Sequence, residues 1–150
     1  MINAALWGHK EIVELLLKNG ANINVRGKNR KSPLSWAAYM GHTDVVKLLF
    51  NWNANPNLRD VTGGTLHTSA FFGYSEIVKL FLDNNADPNL KDDSNLTALD
   101  WARKRGNHDT YEILKESTQC SQTECGKCQD ICLLCDGSKS IDCKGEEEDK

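Results

Sequence analysis

The chain has 150 residues, with 18 Lys+Arg against 21 Asp+Glu for a formal net charge of −3, and six cysteines beside three prolines. That is room for one modest domain and a tail, and 39% hydrophobic with 26% charged residues suits a chain that buries a core. No apolar run approaches the ~20 residues of a membrane span, and the near-balanced charge gives no whole-chain argument for nucleic acid or an anionic membrane as partner. The opening Met1-Ile2-Asn3-Ala4-Ala5-Leu6-Trp7 has neither a basic leader nor a small-residue cleavage site. The expectation is an intracellular protein, cytoplasmic or nuclear, whose cysteines are not primarily a disulfide framework.

A period runs through the first three quarters of the chain. Gly8-His9-Lys10-Glu11-Ile12-Val13 recurs as Gly41-His42-Thr43-Asp44-Val45-Val46, as Gly73-Tyr74-Ser75-Glu76-Ile77-Val78, and more weakly from Gly106 to Tyr111, so the glycines stand 33, 32 and 33 residues apart. A second marker keeps the same beat: Gly20-Ala21-Asn22-Ile23-Asn24, Asn53-Ala54-Asn55-Pro56-Asn57 and Asn85-Ala86-Asp87-Pro88-Asn89.

Each period reads as two short helices and a turn. Glu11 to Lys18, Val45 to Phe50 and Ile77 to Leu82 are apolar over more than one face, which requires cover on two sides. These helices are expected to end at Gly20, Asn53 and Asn85, residue types that accept a left-handed backbone. Polar turns follow at Val25 to Lys31, Leu58 to Gly64 and Leu90 to Leu96, and the one-residue deletion of the third unit falls in its turn. The next helices open at Ser32-Pro33-Leu34 and Thr97-Ala98-Leu99, each with a hydroxyl cap.

The pattern resembles the ankyrin repeat, with its period of about 33 residues and Thr-Pro-Leu-His-x-Ala signature. The residues that carry the likeness are Ser32-Pro33-Leu34-Ser35-Trp36-Ala37-Ala38, Gly64-Thr65-Leu66-His67-Thr68-Ser69-Ala70 and Thr97-Ala98-Leu99-Asp100-Trp101-Ala102. The resemblance implies an all-α solenoid of stacked helix pairs joined by β-turn fingers over residues 1–116: a truncated first repeat at 1–23, repeats at 24–56 and 57–88, and a capping repeat at 89–116. None of the three segments has the whole signature, so the hydroxyl–imidazole network of the family is expected to be incomplete, with His67 its clear survivor. The first unit begins inside its first helix, as a fragment, a truncated product or an irregular cap would. Arg103 and Lys115 stand where inner units carry small or apolar residues, which suits a wet outer face. The finger asparagines Asn24, Asn57 and Asn89 fall where members of the family are sometimes hydroxylated.

Such a stack is a binding scaffold, and the resemblance implies a concave face built from the fingers and the exposed ends of the first helices. The residue pairs just before the repeat glycines sit at those ends: Leu6-Trp7, Tyr39-Met40, Phe71-Phe72 and Lys104-Arg105. Trp7, Tyr39, Met40, Phe71 and Phe72 therefore make a candidate apolar stripe for a partner protein, with Lys104 and Arg105 at its end, and packing between neighbouring helices is the alternative use. Arg26, Lys28, Arg30 and Lys31 make the first finger basic, Arg59 and Asp60 balance in the second, and Lys91, Asp92 and Asp93 leave the third acidic, a gradient that could orient a partner. Trp36 and Trp101 read as packing residues. No phosphate loop or catalytic constellation is legible, and His9 and His42, one period apart, read as structural. The expected protein is a monomeric, non-enzymatic adaptor for another protein, without a cofactor.

Beyond residue 116 the period stops and all six cysteines follow. Residues 117–150 hold eight acidic and four basic side chains, so the remainder carries +1 of the net −3. This acidic tail, expected to be largely disordered, spaces Cys125, Cys128, Cys132 and Cys135 as two C-x-x-C pairs, which suits a soft metal such as zinc. Only three residues separate the pairs, far fewer than zinc knuckles use, so metal binding, an unstructured thiol-rich tail and redox use all stay open. A metal-thiolate or redox-responsive protein acting through this tail is the alternative to the adaptor.

Overall fold

A computed structural model describes residues 1–120, with side chains through Thr118. The expected disorder of the tail and its four proposed ligands, Cys125, Cys128, Cys132 and Cys135, lie outside the described residues. Among the described residues eight helices form four pairs: α1 (Ile2–Leu6) with α2 (Lys10–Lys18), α3 (Pro33–Met40) with α4 (Thr43–Asn51), α5 (Thr65–Phe72) with α6 (Ser75–Asp83), and α7 (Ala98–Arg105) with α8 (His108–Cys120). The last helix thus runs past the expected end of the repeats at residue 116. No described helix is long and apolar enough to cross a membrane.

The main contacts of each helix pair are with its neighbours: α1, α3, α5 and α7 form one row, and α2, α4, α6 and α8 the other. The all-round apolar helices are buried as that stacking requires, with Val45, Val46, Leu49, Ile77, Val78 and Phe81 at or near zero exposure. At the first pair the same positions look outward. Ile12 is 49% and Leu15 61% exposed, whereas their repeat equivalents Val45 and Leu48 are buried, because α2 has no helix pair on its outer side among the described residues. At the other end Arg103 is exposed where Ala38 and Ala70 are sealed.

Local chemistry sets the helix ends. Ser32 caps α3 by accepting the Ser35 N–H at 3.1 Å, with Pro33 at the first helical position. Thr97 and Asp100 form a reciprocal capping box on α7. The cap of α5 is Gly64, which has no hydroxyl, and this leaves the signature network incomplete. His67 donates from Nε2 to the carbonyls of Leu90 (2.9 Å) and Leu96 (3.2 Å), while its buried Nδ1 finds no donor among the described residues. Asn53 and Asn85 take the left-handed backbone after α4 and α6, at φ 60° and 61°.

Gly41 illustrates why the glycine recurs. Its φ is +77°, and a Cβ there would lie 3.0 Å from the Tyr74 ring of the next repeat. Gly8 meets His42 and Gly73 meets Asn107 in the same way. His42 Nε2 donates to Leu6 O at 3.0 Å and Asn107 Nδ2 to Ala70 O at 2.8 Å, so the residues after Gly41 and Gly106 tie their units to the preceding ones. That is the structural role expected of the periodic histidine at position 42.

The turns differ from one another. Only the second forms a strand pair, β1 (Arg59–Asp60) antiparallel to β2 (Gly63–Gly64); the first holds a single 3-10 turn at Lys28–Arg30. Asparagines connect the turns in series: Asn24 Oδ1 accepts the Asn55 N–H at 3.1 Å and Asn57 Oδ1 the Asp87 N–H at 2.9 Å.

Thr110, 1% exposed, occupies the repeat position of Val45 and Ile77, and its hydroxyl has no hydrogen-bond partner among the described residues. Replacing it by the isosteric Val removes an unsatisfied group without opening a cavity. Thr110→Val is expected to raise stability by about 1 kcal/mol in urea unfolding.

Candidate functional site

The pairs preceding the repeat glycines cluster unevenly. Tyr39, Phe71 and Phe72 come together in a chain of edge-on rings: Trp36 to Tyr39 at 5.9 Å between centroids, Tyr39 to Phe72 at 5.3 Å, Phe72 to Phe71 at 5.1 Å and Phe71 to Trp101 at 5.5 Å. Phe72 also stacks on Tyr74 at 5.7 Å. Phe72 stays 42% and Tyr39 38% exposed, and Phe71 is half-buried. Exposure and inter-repeat packing thus occur in the same side chains. Met40 is exposed beside them, whereas Trp7, at 66% exposure, makes no ring contact among the described residues.

The rings enclose a groove of about 280 Å³, walled by Tyr39, Phe71, Phe72 and Trp101 and closed by Thr62, His67 and Thr68. Its origin lies in the repeat alignment. The position that carries Trp36 and Trp101 in flanking units holds Thr68 in the middle one, so a missing ring leaves the hollow. Trp101 is therefore a wall of the groove as well as a packing residue, and the alternation of large and small at one repeat position was the signal available for finding it.

Asp92 fixes that wall. Its Oδ2 accepts the Trp101 indole N–H at 2.6 Å, and its Oδ1 accepts the N–H groups of Ser94 (2.8 Å) and Leu96 (2.9 Å). Partial burial pushes the carboxyl upward, but the Leu96 N–H, the Trp101 indole and the Ser94 N–H outweigh it and hold Asp92 below the ordinary carboxylate range. It stays ionised near neutral pH with its charge spent on these donors.

Two further charges leave the surface. Lys31 and Asp60 form a buried pair at 3.0 Å, each about nine-tenths or more buried, with the Lys31 Nζ also 5.0 Å from the Tyr39 ring centre. The charge gradient read along the turns is correspondingly reduced, since Lys31, Asp60 and Asp92 all point inward to partners. Arg26, Lys28 and Arg30 remain exposed on the first turn; Arg26 donates to Arg59 O at 2.7 Å, and Arg59 lies 3.6 Å from Asp93.

Lys104 and Arg105, at the end of the row, stand over its rings. Lys104 Nζ is 5.3 Å from the Trp101 ring centre, and Arg105 Cζ is 4.4 Å from that of Phe71. Both are exposed, and neither has a carboxylate within ion-pair distance among the described residues. The described residues hold no group of three or more His, Cys, Asp or Glu side chains that could bind a metal ion.

The family described as ankyrin repeats (3 copies) matches residues 1–60 and 64–138. The chain belongs to the ankyrin repeat family. The turns are thus ankyrin fingers, and the groove lies among the exposed ends of the first helices of the ankyrin units. Ankyrin repeats are generally protein–protein interaction modules and typically not enzymes. The match extends beyond residue 116, in keeping with the length of α8. A comparison with curated proteins finds no matching relative.

Proposed function

We propose that this ankyrin stack is a non-catalytic, intracellular adaptor that binds a partner protein through the aromatic groove of its second, third and fourth units. The observation that carries this reading is the row of exposed Tyr39 and Phe72 and half-buried Phe71 and Trp101 around a preformed hollow. Aromatic side chains carry large contact area at low cost in conformational entropy, and an open apolar hollow beside them seats an anchor residue without rearrangement. Met40 extends the surface, and Arg26, Lys28 and Arg30 supply steering charge from the first finger.

Two kinds of variant test it. Tyr39→Ala with Phe72→Ala removes the row, and Thr68→Trp restores the ring that the middle unit lacks and fills the hollow. Both are expected to lower partner capture at least about 10-fold, as the loss of interface anchors does, while the helical circular dichroism is kept. Capture of the same partner at wild-type levels by both folded variants would remove the groove from the reading.

A further inference from the structure

We infer that the groove takes an acidic segment of a partner protein, one that seats a bulky apolar side chain between Phe72 and Trp101 and places carboxylates against Lys104 and Arg105. The inference rests on the groove being the binding surface, and it adds the chemistry of what binds there.

The charge around the groove is one-sided. The carboxylates that hold its walls are engaged: Asp60 is paired with Lys31, and Asp92, still ionised, has its oxygens bonded to the Trp101 indole and two backbone N–H groups. Among the described residues Lys104 and Arg105 have ring faces and no carboxylate as partners. The Arg105 guanidinium carbon lies 4.4 Å from the Phe71 ring centre on an exposed side chain, where a planar fork of N–H donors can meet a carboxylate. Aromatic walls select the apolar residue, and the unpaired cations select its acidic neighbours.

The size of the hollow, about 280 Å³, accommodates one or two side chains of an extended or helical segment. A nucleic-acid strand would require a basic track along the whole row of rings. Here the exposed cations over the rings, Lys104 and Arg105, stand at the Trp101 and Phe71 end, whereas the cation beside Tyr39, Lys31, is buried against Asp60.

The test uses the full 150-residue chain and a fluorescein-labelled peptide in which Glu and Asp flank a central Leu-Phe pair. A counterpart with Gln and Asn replacing the acids, and a thymidine oligonucleotide, serve as comparisons. Fluorescence polarisation is expected to register the acidic peptide at least about 10-fold more tightly than the neutral one, with binding that weakens as salt rises from about 50 to about 500 mM. Lys104→Glu with Arg105→Glu is expected to abolish that preference and to favour a Lys-flanked peptide instead, and Phe72→Ala to weaken all peptides.

Equal binding of acidic and neutral peptides, with loss in Phe72→Ala, overturns the acidic assignment and leaves the groove standing. Absence of peptide binding, binding untouched by Phe72→Ala, or tighter binding of the oligonucleotide likewise overturns it. If the acidic peptide binds only after Glu146, Glu147, Glu148 and Asp149 are changed to Lys, the chain's own end is the occupant, and a partner in trans is overturned. The adaptor reading itself is judged separately, by capture with the Tyr39, Phe72 and Thr68 variants.

Discussion

Replacing Asp60 by alanine is expected to lower the stability of the stack by about 3–5 kcal/mol, read from urea unfolding followed by circular dichroism. The carboxylate is 7% exposed and the only one within ion-pair distance of the Lys31 ammonium among the described residues, which is itself 4% exposed. Removing it strands a cation among Trp36, Tyr39 and the β1–β2 turn. It also frees the Thr62 N–H and hydroxyl, both bonded to Asp60 Oδ1. The double variant Lys31→Met with Asp60→Leu takes out both charges at similar volume and should recover most of the loss, because the cost of the single change is an unpaired buried charge. A single variant within about 1 kcal/mol of wild type would show that Lys31 finds water instead.

The same pair gives a pH dependence. Burial pushes the Asp60 carboxyl up, but the Thr62 hydroxyl, the Lys31 ammonium and the Thr62 N–H together hold it below its ordinary value. A carboxyl depressed by folding contributes stability that is complete above its unfolded pKa of about 3.9 and is lost as pH falls through the folded value. Unfolding free energy should therefore drop as pH is lowered below about 4, and drop less in the Lys31→Met, Asp60→Leu variant.

Phe81→Ala is the second large effect, with an expected loss of about 3–5 kcal/mol. Phe81 is fully buried in α6 and meets Phe50 of α4 edge-on at 5.0 Å between ring centres. A repeat stack holds together through nearest-neighbour interfaces, so a cavity in the third unit weakens its coupling to the second as well as its own helix pair. The groove draws Phe71, Phe72 and Thr68 from that third unit, so partner capture should fall with the folded fraction. Unfolding of Phe81→Ala at the wild-type midpoint would show that the cavity has closed by repacking.

The repeat architecture was legible in the sequence because its causes are local and recur. Gly41 and Gly73 answer to a left-handed backbone beside a ring or amide of the next unit, Ser32 and Thr97 to unsatisfied N–H groups at a helix start, and Ile77 and Phe81 to a helix covered on both sides. Each of these requirements is met within a few residues or repeated one period away. The row of apolar pairs before the glycines was legible for the same reason, since the period places those residues at one end of successive helices.

The sequence by itself determined the period, the helix pairs and the residue types offered at the helix ends. Only the tertiary structure decided which charges face a partner. Lys31 and Asp60, 29 residues apart, look like finger charges until the stacked units bury them at 3.0 Å, and Asp92 looks like an acidic finger residue until Trp101 bonds to it. Trp101 became a groove wall because its neighbouring unit has Thr68 in place of a ring, and Lys104 and Arg105 became the groove's unpaired cations because those rings lie beneath them. A side chain's charge is a property of its own residue. Its availability is set by desolvation and by the partners that three neighbouring units bring to it, and those exist only once the units are stacked.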